Sequence, residues 1–342
     1  MASMNHSPLL EWYEKEKREL PFRKSREPYK IWISEIMSQQ TRMETLLPYY
    51  ERFVEKWPDE QALANANEDE LMKAWQGLGY YSRARNLKKA AIECVERFDG
   101  HLPRTKKELK SLSGIGDYTA GAIASIAYGE RVSAVDGNVI RVYARYYGLR
   151  DDFSTAANRK KLTRLVEDDL PHSDQAGAWN QALMELGARI CAPRKADCAG
   201  CPLSAGCQSA KSANPLELPV RAKMKDRKVE HKPVVVQAAW HAGQWTMHVK
   251  RRPKSGLLAG LYEFDETLPE SVYEQFDLGS YTHVFTHKEW QMEGRLVITD
   301  WSDGFFALED IDRNAAIPSA FLPFYNRARE VLNGKTCENR RG

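Results

Sequence analysis

A chain of 342 residues that is 42% hydrophobic and 28% charged can build about two domains with their own cores, which excludes a broadly disordered protein. No apolar run approaches the roughly 20 residues of a membrane span, and MASMNHSPLLEWYEKEK lacks the basic start and apolar centre of a secretory signal, so a cytoplasmic location without membrane attachment is expected. Net charge is only +3, so any affinity for nucleic acid must come from local basic clusters.

Residues 8–19 mix apolar and charged positions at helical spacing, and LPFRKSREPYK then breaks the pattern with Pro21 and Pro28. A helix resumes over 29–50. In it Glu35 shares a face with Ile31 and Gln39, a setting in which a carboxylate is ordinarily solvated or salt-bridged. Further helices are expected at 59–76, 83–98 and 105–112, with GLGYYSRAR as a loop between the first two. Residues 112–120 read as helix, glycine-bracketed turn, helix: Gly114 and Gly116 can take backbone angles closed to other residues, and Ala120, Gly121, Ala122, Ala124 and Ala127 allow close packing. Such a turn offers bare N–H groups at a helix N-terminus, which suit a phosphate. An ordinary helix hairpin would show the same glycine spacing.

In VSAVDGNVIRVYARYYG, Asp136 precedes a new helical pattern, where Asp most often serves as an N-cap. Another helix, SDQAGAWNQALMELGARI, leads into CAPRKADCAGCPLSAGC, which holds Cys191, Cys198, Cys201 and Cys207 in one short loop. In a reducing compartment four such thiols favour metal over disulfides, and spacing leaves both a tetrahedral zinc and an iron–sulfur cluster open. The chain to this point, residues 1–210, reads as one all-α domain.

Residues 211–232 carry two prolines and seven Lys or Arg, a basic linker that could follow a phosphate backbone or serve as a solvated tether. Beyond it, over 233–342, VVVQAAW, WTMHVKRR and RLVITD have the character of strands, whereas SVYEQF and AFLPFYNRAREVL look helical. The last part is therefore a smaller α/β or α+β domain.

Several of these motifs, in this order, resemble MutY-type adenine DNA glycosylases, base-excision repair enzymes that remove adenine mispaired with 8-oxoguanine. LSGIGDYTAGAIAS matches the family's helix-hairpin-helix, VDGNVIRV the segment of its essential aspartate, WISEIMSQQT the helix of its catalytic glutamate, and the four cysteines its [4Fe–4S] loop. The resemblance implies a multidomain fold: an all-α helix-hairpin-helix glycosylase domain with one [4Fe–4S] cluster on Cys191, Cys198, Cys201 and Cys207, and a Nudix-like C-terminal domain. The expected partner is duplex DNA with A:8-oxoguanine or A:G mismatches, bound by a monomer.

The chemistry agrees with that likeness. A base must be flipped from the duplex before it can be cut, and cleavage of its bond to the sugar needs an acid for the leaving base and a carboxylate for the oxocarbenium-like sugar. By the resemblance Glu35, among Ile31, Ile36 and Met37, is the acid that protonates adenine and activates water, and Asp136 is the ionised carboxylate. Endonuclease III-type relatives carry a Schiff-base lysine at the position of Tyr118, so a monofunctional enzyme is implied, with Tyr118 and Asn138 supporting the site. Gln40, Leu78 and Tyr80 are implied as wedges in the duplex, Arg23 and Gln181 as neighbours of the flipped adenine, and Gly114 and Gly116 as backbone contacts to DNA.

Two departures from the family pattern stand out. LPWR is here Leu20-Pro21-Phe22-Arg23, which loses an indole nitrogen, and the lesion-reading Phe-Ser-His is here Phe285-Thr286-His287. GLLAGLYEFDETLPESVYEQF lacks the Arg-Glu and Glu-Glu pairs of a Nudix hydrolase helix, which argues against a nucleotide pyrophosphatase. A non-catalytic, redox-sensing DNA-binding protein of the same fold is the alternative, and the presence of both Glu35 and Asp136 argues against it.

Overall fold

The computed structural model describes residues 4–212, 214–220 and 226–338. By contacts the chain divides into two compact units, Met1–Asn65 with Asn86–Lys223, and Ala66–Arg85 with Met224–Gly342.

The first unit is helical. It holds α1 (His6–Glu16), α2 (Pro28–Ser38), α3 (Met43–Lys56) and α4 (Glu60–Ala64); α5 (Glu68–Ala74) falls in the second unit, where α6 (Ser82–Arg97) also begins. There follow α7 (Lys106–Leu109), α8 (Asp117–Tyr128), α9 (Gly137–Tyr146), α10 (Ala156–Asp168) and α11 (Ala176–Arg189). Side-chain caps set where several helices start: Asn5, Asp59, Thr105, Asp136 and Thr155 each accept a backbone N–H of the first turn. Helices α1, α9 and α11 pack together through Leu9, Tyr13, Val139, Tyr143, Trp179, Leu183 and Leu186, apolar positions three or four residues apart that form one face on each helix.

Three helices are shorter than periodicity suggests. The 29–50 helix divides after Ser38 because Gln40 takes a left-handed φ of 58°. The 59–76 helix divides at Asn67, whose side chain accepts from the N–H groups of Asp69 and Glu70 and so starts α5 afresh. The helix expected over 105–112 ends at Leu109, and the hairpin turn follows. In that turn Gly114 has φ 75° and a Cβ there would come within 2.6 Å of that of Asn86, so only glycine fits. Gly116 differs from expectation: as N-cap of α8 it has φ −87°, open to any residue, and its contribution is bare space at the helix N-terminus.

The second unit is an α/β sheet domain built from β1 (Lys228–His241), β2 (Gln244–His248), β3 (Lys250–Arg251), β4 (Tyr262–Glu263), β5 (Glu274–Val284), β6 (Lys288–Ile298), β7 (Phe305–Ala307), α12 (Leu308–Asn314) and α13 (Leu322–Glu338). Five strands lie in the order β5-β6-β1-β2-β7, with β1 and β6 parallel and the other neighbours antiparallel; β3 pairs with β4 separately. Phe321 and, from α13, Phe324, Ala328 and Leu332 cover one sheet face at Val234, Val236, Ala238, Met247 and Leu296.

Here too the structure corrects the reading of the sequence. SVYEQF is not helical: from Glu274 it belongs to β5, where Phe276 lies opposite Leu296, and the helix-like spacing of Val272 and Phe276 is overridden by strand pairing. The basic segment 211–232 ends as strand, since β1 begins at Lys228; its residues 221–225 lie outside the described residues. Segment 66–85, expected within the N-terminal domain, belongs by contacts to the second unit. Its Lys73, Gln76 and Arg85 side chains donate to the carbonyls of Ala315, Ile317 and Ala259 at 3.0, 2.9 and 2.7 Å. No described helix is long and apolar enough to cross a membrane.

Candidate active site

A cleft of about 1420 Å³ in the first unit brings together Arg23, Glu35, Gln40, Gly114, Gly116, Tyr118, Asp136, Asn138 and Gln181. Leu78, Tyr80, Phe285, Thr286 and His287 belong to the second unit.

Glu35 sits in α2, which packs against α8. Tyr118, the second residue of α8, donates its hydroxyl to Glu35 Oε2 and lies 3.3 Å from Met184 Sδ. Glu35 is set deep in the cleft wall with one edge still accessible. Burial pushes its pKa up to about 7; the bond from Tyr118 opposes that rise, the charge of Asp136 adds to it, and Arg23 opposes it. A carboxyl group in that range can be both proton donor and base near neutral pH.

Asp136 is the N-cap of α9. Its Oδ1 accepts from the backbone N–H groups of Asn138 and Val139, both at 2.8 Å, and its Oδ2 accepts from the Asn138 side-chain amide at 2.7 Å. Burial raises its pKa, and these donors, with Arg141, pull the other way. Three N–H donors at a helix N-terminus give Asp136 far more support for a negative charge than one hydroxyl gives Glu35. The two carboxyl groups therefore differ in the way acid and counter-charge must. The same side chain caps α9 and lines the cleft.

Asn138 is held from behind. Arg141 donates to its Oδ1 at 2.6 Å, to the Gly187 carbonyl at 2.6 Å and to the Cys191 carbonyl at 2.7 Å. A Cβ on Gly187 would lie 2.6 Å from that of Asn138, so α11 can approach α9 this closely only through glycine.

Sequence reasoning missed Glu185. This fully buried residue of α11 accepts from Arg18 at 2.7 and 2.8 Å and from Arg23 at 2.8 Å, and it lines the cleft. Burial alone would raise its pKa, but the bonds from Arg18 and Arg23 hold it down at about 2. The implied substrate residue Arg23 is thus fixed by a carboxylate distant in sequence. Phe22 lines the cleft edge-on to Tyr50, with ring centroids 5.3 Å apart, and forms an apolar wall there. Gln181 turns its amide nitrogen to the Gly177 carbonyl at 3.3 Å.

In the second unit Leu78 is buried, at 6% exposure, whereas Tyr80 is 51% exposed. Of these two implied wedges only Tyr80 is presented; Leu78 is enclosed in this conformation. Phe285 packs on Trp290 and His283, which leaves Thr286 and His287 exposed between β5 and β6. The Tyr80 hydroxyl is 3.0 Å from Thr286 Oγ1.

Cys191, Cys198, Cys201 and Cys207 line one small cavity against α9. Arg145 donates to Cys191 Sγ at 3.3 Å and to the Ala192 carbonyl at 2.9 Å. Among the described residues no group of three or more His, Cys, Asp or Glu side chains is placed to hold a metal ion.

A glycine turn opening a helix N-terminus beside a cleft with two unlike, partly buried carboxyl groups is the arrangement of the helix-hairpin-helix class of base-excision DNA glycosylases. Residues 33–168 match the family described as HhH-GPD superfamily base excision DNA repair protein. The chain is 35% identical to the adenine DNA glycosylase of Rattus norvegicus over 408 aligned positions, covering 96% of this chain and 78% of the relative. With that of Mus musculus it is 36% identical, covering 79% of this chain and 62% of the relative. A thermostable thymine-DNA glycosylase of known structure is 32% identical, with a TM-score of 0.54 over 59% of this chain and 93% of that one. The chain belongs to the adenine DNA glycosylase family, and it is a DNA N-glycosylase, a hydrolase of N-glycosidic bonds.

Proposed function

We propose that the enzyme excises adenine paired with 8-oxoguanine or guanine in duplex DNA and leaves an abasic site. The observation that carries this reading is the arrangement of Glu35, bonded to Tyr118, and Asp136, capped by three donors, on one cleft. Glu35, with a pKa of about 7, gives its proton to the departing adenine and then takes one from the attacking water. Asp136 faces the cationic sugar as a carboxylate. Tyr118 orients Glu35, and because a phenol forms no Schiff base the strand stays intact. Arg23 and Gln181 hold the flipped base, and Gly114 and Gly116 present the N-terminus of α8 to a phosphate.

Cys191, Cys198, Cys201 and Cys207 are read as ligands of one [4Fe–4S] cluster. Four cysteines lining one cavity supply the thiolate set of such a cluster, one sulfur to each iron. When bound, the cluster supplies four iron–sulfur bonds that cross-link the loop. Arg141 then joins the Cys191 carbonyl to Asn138, so that order in the loop supports the carboxylate site.

The second unit is read as a Nudix-like lesion-recognition domain in which Thr286 and His287 meet the base opposite adenine. The enzyme acts as a monomer. The test is incubation with A:8-oxoguanine, A:G and C:8-oxoguanine duplexes followed by alkali. Cleavage at adenine in the first two and none in the third is expected; cleavage of all three, or of none, would overturn the reading.

A further inference from the structure

The loop over 77–81 is strained and braced. Gly77, Gly79 and Tyr80 all have positive φ, of 102°, 70° and 46°. Tyr80 is not a glycine, so its backbone must be held by its surroundings. Arg83 does part of this by donating to the carbonyls of Leu78 and Gly79 at 3.0 and 3.1 Å, and the Trp75 indole N–H donates to the Gly79 carbonyl at 3.1 Å.

The stems of the loop are tied down as well, and their anchors lie far along the chain. Lys73 and Gln76 before the loop donate to the carbonyls of Ala315 and Ile317, and Arg85 after it donates to that of Ala259. Asp69 pairs with Arg251. Lys73 is half-buried, and Ala259, Ala315 and Ile317 are all buried, so these bonds are shielded from competing water. The loop tip then meets the lesion-reading turn itself through Tyr80 and Thr286.

We propose that Lys73, Gln76 and Arg85 are positioning residues that fasten the duplex-probing loop to the C-terminal unit, so that Tyr80 and the Phe285-Thr286-His287 turn engage DNA as one body. The inference rests on the lesion-recognition reading above. Its consequence is that probing the duplex and reading the base opposite adenine are coupled events.

The experiment compares wild type with Lys73→Met, Lys73→Arg, Gln76→Ala, Thr286→Ala and the Gln76→Ala/Thr286→Ala double variant, all as full-length enzyme. Single-turnover excision is measured opposite 8-oxoguanine and opposite guanine, with hydrogen exchange of the 77–81 and 285–287 amides as a second readout. Gln76→Ala and Lys73→Met should each lower the 8-oxoguanine-to-guanine rate ratio roughly 3- to 10-fold, the double variant should fall no further than Thr286→Ala, and Lys73→Arg should restore the ratio. Exchange should rise in both segments together when Gln76 is lost. A general loss of packing would slow both duplexes equally and leave the ratio unchanged; that result, additive losses in the double variant, or exchange confined to one segment would overturn the proposal. A wild-type enzyme without preference for 8-oxoguanine would instead overturn the lesion-recognition reading.

Discussion

The Tyr118 hydroxyl is bonded to the carboxyl group of Glu35, across the contact between α8 and α2. One residue of the hairpin helix thereby orients the acid and opposes the rise in pKa that burial imposes on it. The pH dependence of excision follows. Glu35 must carry a proton to act as the acid, and the protonated fraction falls as pH rises through about 7. Single-turnover rates on a mismatch should therefore fall about tenfold per pH unit well above that value, with an acidic limb where Asp136 gains a proton. A rate flat from neutral to strongly alkaline pH would contradict the assignment.

Tyr118→Phe removes a bond that favours the ionised form of Glu35, so the alkaline limb should move to higher pH while the rate at neutral pH falls roughly 10-fold through lost orientation. Wild type treated with borohydride on a mismatched duplex should trap little covalent complex, because no amine stands at this position. Efficient trapping would place the nucleophile on a lysine elsewhere.

The same burial makes Glu35 a cost to the fold. Its folded pKa lies above its unfolded one, so its contribution to stability is full below the ordinary carboxylate range and is lost as pH rises through about 7. Glu35→Gln should then melt several degrees higher than wild type at pH 8 and show a smaller difference at pH 5, as measured by thermal unfolding.

Glu185 behaves in the opposite sense. Its folded pKa is held down at about 2, so its contribution is present above the ordinary carboxylate range and fades as pH falls towards that value. Glu185→Gln leaves Arg18 and Arg23 facing a neutral amide and should cost on the order of 3 kcal/mol in denaturant titrations at pH 7. Excision should fall as well, since Arg23 loses its fixed place on the cleft.

Glu35 and Asp136 could be singled out because each lies in a local motif, WISEIMSQQT and VDGN, that carries the family resemblance; without it the residues read as a surface carboxylate and a helix cap. Glu185 was not. Its partners Arg18 and Arg23 lie 167 and 162 residues away, and nothing within its own helix marks it as buried. The assignment of 66–85 to the second unit was equally hidden, because side chains donating to distant main-chain carbonyls leave no local pattern. SVYEQF misled because four-residue spacing cannot reveal a strand partner supplied from β6. Thr286 was visible as a departure, whereas its bond to Tyr80 could come only from the fold.

Iron content tests the cysteine loop. Enzyme purified without oxygen should hold about four irons and absorb broadly near ~400 nm, and Cys198→Ala should lower both. One zinc and no iron would reverse the assignment.

The most direct test of the central claim is single-turnover excision by wild type and Glu35→Gln on an A:8-oxoguanine duplex, with binding measured in parallel. Glu35→Gln should bind the duplex as wild type does, because the amide is nearly isosteric, and should lose ~10²- to 10⁴-fold in excision, because the proton source is gone. Excision at the wild-type rate by a folded Glu35→Gln enzyme would remove Glu35 from the mechanism.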